Sequence, residues 1–317
     1  MNITKTRLLT GLIAAGLGLG LASNANATAA YAVSYNDITN FGISTTAGAT
    51  TFGAPQFTSA TTANLNAVNA AAGGITILDS PVSCLGTPCG GVVNNNFVTV
   101  GEVGSPYGMG DAIIVNTGIL AGTGQATNMA EGDAHQGTAG GSGKNTVSTS
   151  FSVDQVGTVL QFDFDAAPYL GALVDDALDS ATASLTMSIS ISDGGGNTIF
   201  SWAPGGSAGG IIGGVETLDP YNLNGDITAT GGVLVAQDNL AGYSIAAVGT
   251  SGFDFGADAG ATPGAFQAAT NALGIGEYTL TVTMEEDVTL IDAVPLPATV
   301  LLFGLGLFGL GLIRRKA

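Results

Sequence analysis

What this chain lacks narrows it before any motif is read. Six lysines and arginines stand among 317 residues, against 24 aspartates and glutamates. Five of the six cations lie in the terminal segments, so residues 28–292 hold Lys144 and every carboxylate, a body charge of −23. A surface this acidic repels nucleic acid and anionic lipid. It suits divalent cations, cationic partners or plain solubility. Salt bridges cannot neutralise so many carboxylates, which are expected in water, on backbone amides or on cations.

His135 is the single histidine. With no His-Glu-x-x-His pair and no Gly-x-Ser-x-Gly elbow, metalloprotease and serine-hydrolase chemistry have no motif to stand on, and the chain reads as a non-enzyme. Carboxylate pairs for glycoside hydrolysis leave no spacing signature, so a secreted hydrolase stays as a third reading. Two cysteines and one histidine are too few for a structural zinc site. Cys84 and Cys89 flank Gly86 and Pro88, a spacing that in an exported chain reads as one disulfide pinning a loop. Trp202 is the only tryptophan, and aromatics are 7% of the chain, too few for a broad sugar-stacking platform. Beside Ala203 and Pro204, Trp202 reads as core. No period of 20–50 residues stands out, which argues against a solenoid.

What is present favours strands. Glycine, with 50 residues, is joined by abundant Thr, Ser, Ala and Asn, a composition of turns and sheets rather than helices. The strongest signal is Ala183, Leu185, Met187, Ile189 and Ile191 alternating with Ser and Thr, one buried face and one wet face. Asp193-Gly194-Gly195-Gly196-Asn197 turns this strand into residues 198–202 as a hairpin. Leu160, Phe162 and Phe164 share a face, as do Tyr278, Leu280, Val282 and Met284. Residues 31–43 read as a first strand, with shorter ones at 75–78, 97–103, 112–115, 146–153 and 288–291. Residues 47–72 read as irregular with a short helix over 63–72, and 118–145 as a long Gly-rich loop holding His135 and Lys144. The expected class is all-β, an antiparallel β-sandwich or jelly roll.

Two acidic loops carry oxygen ligands of the type Ca²⁺ takes. Asp219, Asn222, Asn224 and Asp226 surround Gly225, without the spacing of an EF-hand. Turn chemistry alone also accounts for Asp-Pro and Asn-Gly there. Asp175, Asp176 and Asp179 form the second loop. Beyond Ca²⁺ no cofactor is expected.

The termini carry addresses. Lys5 and Arg7 precede an apolar stretch over 8–21 and a small-x-small site, Ala25-Asn26-Ala27, so residues 1–27 read as a signal peptide. At the other end Val294-Pro295-Leu296-Pro297-Ala298 leads an uncharged apolar run over 296–313, ~27 Å long as a helix and close to a bilayer core. Pro295 and Pro297 mark its start. Arg314, Arg315 and Lys316 close it as stop-transfer charges that keep the C-terminus cytoplasmic and the body outside. The chain thus divides into a signal peptide (1–27), a β-sandwich body (28–292) and a tail with a transmembrane helix (293–317).

Motif, apolar span and basic tip together resemble the PEP-CTERM class of bacterial sorting tails, in its VPLPA variant, with Leu296 where the commoner pattern has glutamate. The resemblance implies recognition by an exosortase, a membrane-embedded protease or transpeptidase. It also implies an inner-membrane-tethered precursor and release to the cell surface or extracellular matrix, often alongside exopolysaccharide. The order of elements from 160 to 224 resembles bodies found ahead of such tails, which implies architecture only. The expected role is non-enzymatic, structural or adhesive, in a biofilm or exopolysaccharide layer. The alternative is a carbohydrate-binding module, possibly Ca²⁺-dependent.

Overall fold

A computed structural model describes residues 30–74, 81–89, 105–174, 176, 178–206, 209–230, 234–238 and 263–293. The signal peptide, the strands expected at 75–78 and 97–103, and the tail from Val294 onward lie outside the described residues. In chain order the strands are β1 (Ala30–Ala47), β2 (Thr50–Phe52), β3 (Gln56–Leu65), β4 (Val68–Gly74), β5 (Val82–Gly86), β6 (Tyr107–Asn116), β7 (Gly124–Ala134), β8 (Gly137–Val153), β9 (Val159–Val174), β10 (Ser180–Asp193), β11 (Thr198–Trp202), β12 (Ile211–Ile212), β13 (Gly214–Leu218), β14 (Asn224–Thr230), β15 (Leu234–Asp238), β16 (Gly264–Thr270) and β17 (Gly276–Asp292).

They form two antiparallel sheets packed face to face. Sheet A runs β13-β16-β9-β1-β7-β6-β5, with β15 also on β9. Sheet B runs β12-β11-β10-β17-β8-β3-β4, with β14 on β10 and β2 on β8. The sandwich is therefore the class the alternation predicts. The expected alternations become the inner faces: Leu185, Met187, Ile189 and Ile191 from β10 and Leu280, Val282 and Met284 from β17 are all buried. The stretches expected at 278–285 and 288–291 are one 17-residue strand, β17, paired to β10 from Tyr278 to Ile291 and to β8 from Gly276 to Asp292.

Two expectations are corrected. The short helix over 63–72 is instead the β3–β4 hairpin, Leu65 facing Val68, turned by Asn66 and Ala67 at φ 49 and 66. Two successive positive φ values make the tight turn that matches strand twist. The Gly-rich loop over 118–145 is instead mostly β7 and β8, long strands of the two sheets. Its glycines serve the contact between sheets. A Cβ on Gly141 would stand 2.0 Å from the Met109 carbonyl oxygen, and one on Gly143 2.0 Å from that of Asp111. Here the two backbones touch and leave no room for a side chain.

Candidate functional site

On β7 the strand repeat of two turns Met129, Glu131 and Asp133 to one face. Asn128, one residue out of phase, donates to the Met284 carbonyl of sheet B at 2.6 Å, so the Glu131 row faces away from sheet B. The row is buried nonetheless, with Glu131 and Asp133 at 0% exposure. The Tyr31 hydroxyl donates to Glu131 Oε1 at 2.8 Å, and Tyr107 bonds the same carboxylate. Burial, then the neighbouring negative charge, holds the Tyr107 phenol well above its ordinary range, so it stays a donor. Asp133 Oδ1 lies 3.1 Å from His135 Nε2, an ion-pair distance with the ring off the hydrogen-bond line. Cys84 and Cys89 are joined, and their turn packs on Tyr107, Met109 and Met129. The sequence signal was present in Met129-Ala130-Glu131-Gly132-Asp133-Ala134-His135, large and polar residues alternating with Ala and Gly. The interleaved glycines mask it, since glycine in sequence reads as turn.

The interior holds a further buried carboxyl group that sequence reasoning did not place. Glu286 on β17 is fully buried and touches the Ser34 hydroxyl of β1. Ser34 Oγ is also 2.8 Å from the Ser184 carbonyl. One hydroxyl proton shared between two acceptors makes two weak bonds rather than one strong one. A protonated Glu286 resolves this by donating to Ser34, which then donates to Ser184. Burial drives the Glu286 carboxyl well above its ordinary value of 4.5, the Ser34 bond opposes that, and the charge of Glu285 adds to it. Buried and protonated is thus a further state for a carboxylate in a chain short of cations, beyond the three expected from composition.

Three of the four candidate Ca²⁺ ligands are engaged in hydrogen bonds to backbone. Asp219 Oδ2 accepts the Gly205 and Gly206 amides at 2.9 Å each. Asn222 Oδ1 accepts the Asn224 amide at 2.8 Å. Asn224 accepts from Met187 N–H at 3.1 Å and donates to the Pro204 carbonyl at 2.9 Å. Asp226 sits on β14 opposite Ser184. These side chains stitch one turn to another. Asp219 also bonds Glu216, which accepts the Trp202 indole N–H at 2.5 Å. Burial, followed by Glu216, lifts the Asp219 carboxyl to about 6 against the pull of the two glycine amides. Trp202 itself is 0% exposed and stacks near Phe164 at 5.6 Å, so it offers no sugar platform. Among the described residues no three His, Cys, Asp or Glu side chains could hold a metal ion.

The second acidic loop has a different job. Asp175 lies outside the described residues, and Asp176 accepts the Leu178 amide at 3.0 Å. Asp179, 2% exposed, accepts the Ala293 amide at 3.0 Å. Asp292, also 2% exposed, accepts the Gln136 amide at 2.7 Å. The two aspartates hold the point where the chain leaves sheet B, one residue before Val294. From residue 293 to 316 the chain matches the family model described as the PEP-CTERM protein-sorting motif.

The C-terminus is a PEP-CTERM sorting tail. This tail marks an exported surface protein targeted to an exosortase. Among curated proteins and solved structures nothing matches the chain. No helix among the described residues is long and apolar enough to cross a membrane, and the apolar run over 296–313 lies outside them.

Proposed function

We propose that this PEP-CTERM protein is a non-enzymatic structural or adhesive component of a biofilm or exopolysaccharide layer. The observation that carries the reading is the sorting motif at 293–316, joined directly to an acidic two-sheet body. In this reading the apolar run spans the inner membrane, Arg314, Arg315 and Lys316 stop transfer, and an exosortase cuts near Val294-Pro295-Leu296-Pro297-Ala298. The carbohydrate-binding alternative is weaker, because Trp202 is core and the loop oxygens over 219–224 are occupied by backbone amides.

Intact mass and fractionation of the native product test the processing. The expected product starts near Thr28, lacks Arg314–Lys316, and fractionates with the surface or matrix polymer. Protein that retains those three cations at steady state contradicts processing. A processed body that washes entirely into the medium contradicts the matrix role.

A further inference from the structure

The sorting motif begins one residue after the last strand of sheet B. β17 is an interior strand of sheet B, paired on both sides, and its ladder reaches Asp292, opposite Gly137. Ala293 follows, its amide held by Asp179, and the match to the sorting motif starts on that residue. The five residues Val294 to Ala298 can reach at most about 17 Å when extended. Any enzyme that engages them meets the end of the sandwich as well.

That end is tied together. Asn66 exchanges two bonds with Thr138, its amide to the Thr138 carbonyl at 2.9 Å and the Thr138 amide to its Oδ1 at 3.0 Å. One turn residue on, Gln136 donates to Asp292. Ala293 then donates to Asp179. The β3–β4 turn, the β7–β8 turn, the approach to β10 and the chain exit thus form one hydrogen-bonded plate. Among the described residues, three of the four non-glycine residues with positive φ, Asn66, Ala67 and Gln136, lie in it. Strain of that kind persists only where surrounding structure over-determines it.

We propose that the Asp179 and Asp292 clamp slows cleavage by the membrane-embedded sorting enzyme, by withholding the backbone upstream of the motif. The inference rests on the exosortase reading above. Proteases take substrate as an extended strand through its backbone N–H and C=O groups, by the same pairing that adds a strand to a sheet. Through Asp292 the strand is laddered to β8, and the Ala293 amide is held by Asp179. The enzyme must use residues from 294 onward alone, or wait for local opening of the strand end. The clamp also protects the product, since a cut upstream would remove part of an interior strand.

The test is pulse-chase of the full chain in cells that carry its sorting machinery, following loss of the tail. Six Gly and Ser residues inserted between Ala293 and Val294 leave every body contact intact. Processing is expected to quicken about fivefold or more, because the enzyme then finds unpaired backbone upstream of the motif and no longer waits for the one or two hydrogen bonds of the strand end to open. Asp179→Ala is expected to quicken it about two- to fivefold, and Asp179→Asn, which keeps an acceptor oxygen, to restore the slower rate. An unchanged or slower rate in the insertion variant overturns the proposal. Replacing Pro295 and Pro297 by alanine separates the two readings. If the tail is still removed at the normal rate, the sorting assignment itself fails, whatever the insertion does.

Discussion

The sandwich has two unlike halves. Near β9, β11 and β16 the sheets are held apart by rings. Phe162 stacks on Phe200 at 5.2 Å, and Phe164 on Phe266 at 4.9 Å, with Trp202 alongside. Where β6 and β7 cross the Gly140–Gly143 stretch of β8, the backbones of the two sheets touch instead. Gly108, Gly110, Gly141 and Gly143 let carbonyls of one sheet lie where a Cβ of the other would stand. One half is stabilised by buried apolar area, the other by close backbone approach and hydrogen bonds such as Asn145 Nδ2 to the Thr127 carbonyl at 3.1 Å. The difference teaches that this low-aromatic chain builds a full-sized core by tapering it.

If that contrast is right, removing atoms harms the first half and adding them harms the second. Trp202→Ala should cost about 3–5 kcal/mol, read as a lower urea midpoint with unchanged slope. Gly143→Ala should cost about 2–3 kcal/mol, because the atom it meets is backbone and cannot swing aside. Gly157→Ala is its counterpart: nothing lies within 4 Å there, so only the φ of 88° is penalised and the loss should be about 1 kcal/mol. Equal losses at 143 and 157 would erase the thin-half argument.

Smaller effects sharpen the comparison. Replacing Cys84 and Cys89 by serine should cost about 2 kcal/mol, since the loop they close is short. Glu286→Gln tests the protonated carboxyl. The folded state raises this group above 4.5, so its stability is fully present below that pH and drains away as pH rises. Asp37, Asp287 and Asp219 are shifted the same way by burial. Thermal melts should therefore show a falling midpoint from pH 5 to pH 8. Glu286→Gln should flatten that fall, raising the midpoint at pH 8 and leaving it unchanged at pH 4. A variant with the same slope as the parent would return Glu286 to the ionised state.

Much of this was legible in the chain. The alternation over 183–191 and 278–284 announced buried faces, because a period of two has no other use in a folded sheet. The hairpin at Asp193 was legible too. Asp193 Oδ1 takes the Gly195 and Asn197 amides at 2.9 Å each, the local bonding that favours Asp in turns. The strands β7 and β8 were hidden, because their glycines answer to a surface on another sheet rather than to their own neighbours. The Asp175, Asp176 and Asp179 loop read as cation ligands, yet Asp179 serves an amide 114 residues away.

The sequence alone settled the destination and the class. A sorting tail is recognised as a linear string, and strand alternation is local, so neither needs a partner elsewhere in the chain. Only the tertiary structure decided where the acids go. Whether a carboxyl is ionised in water, bonded to a phenol like Glu131, or neutral like Glu286 depends on which distant groups the fold brings against it. It also decided that the tail leaves from the end of an interior strand, since strand order in a sheet is set by long-range pairing that no window of sequence contains.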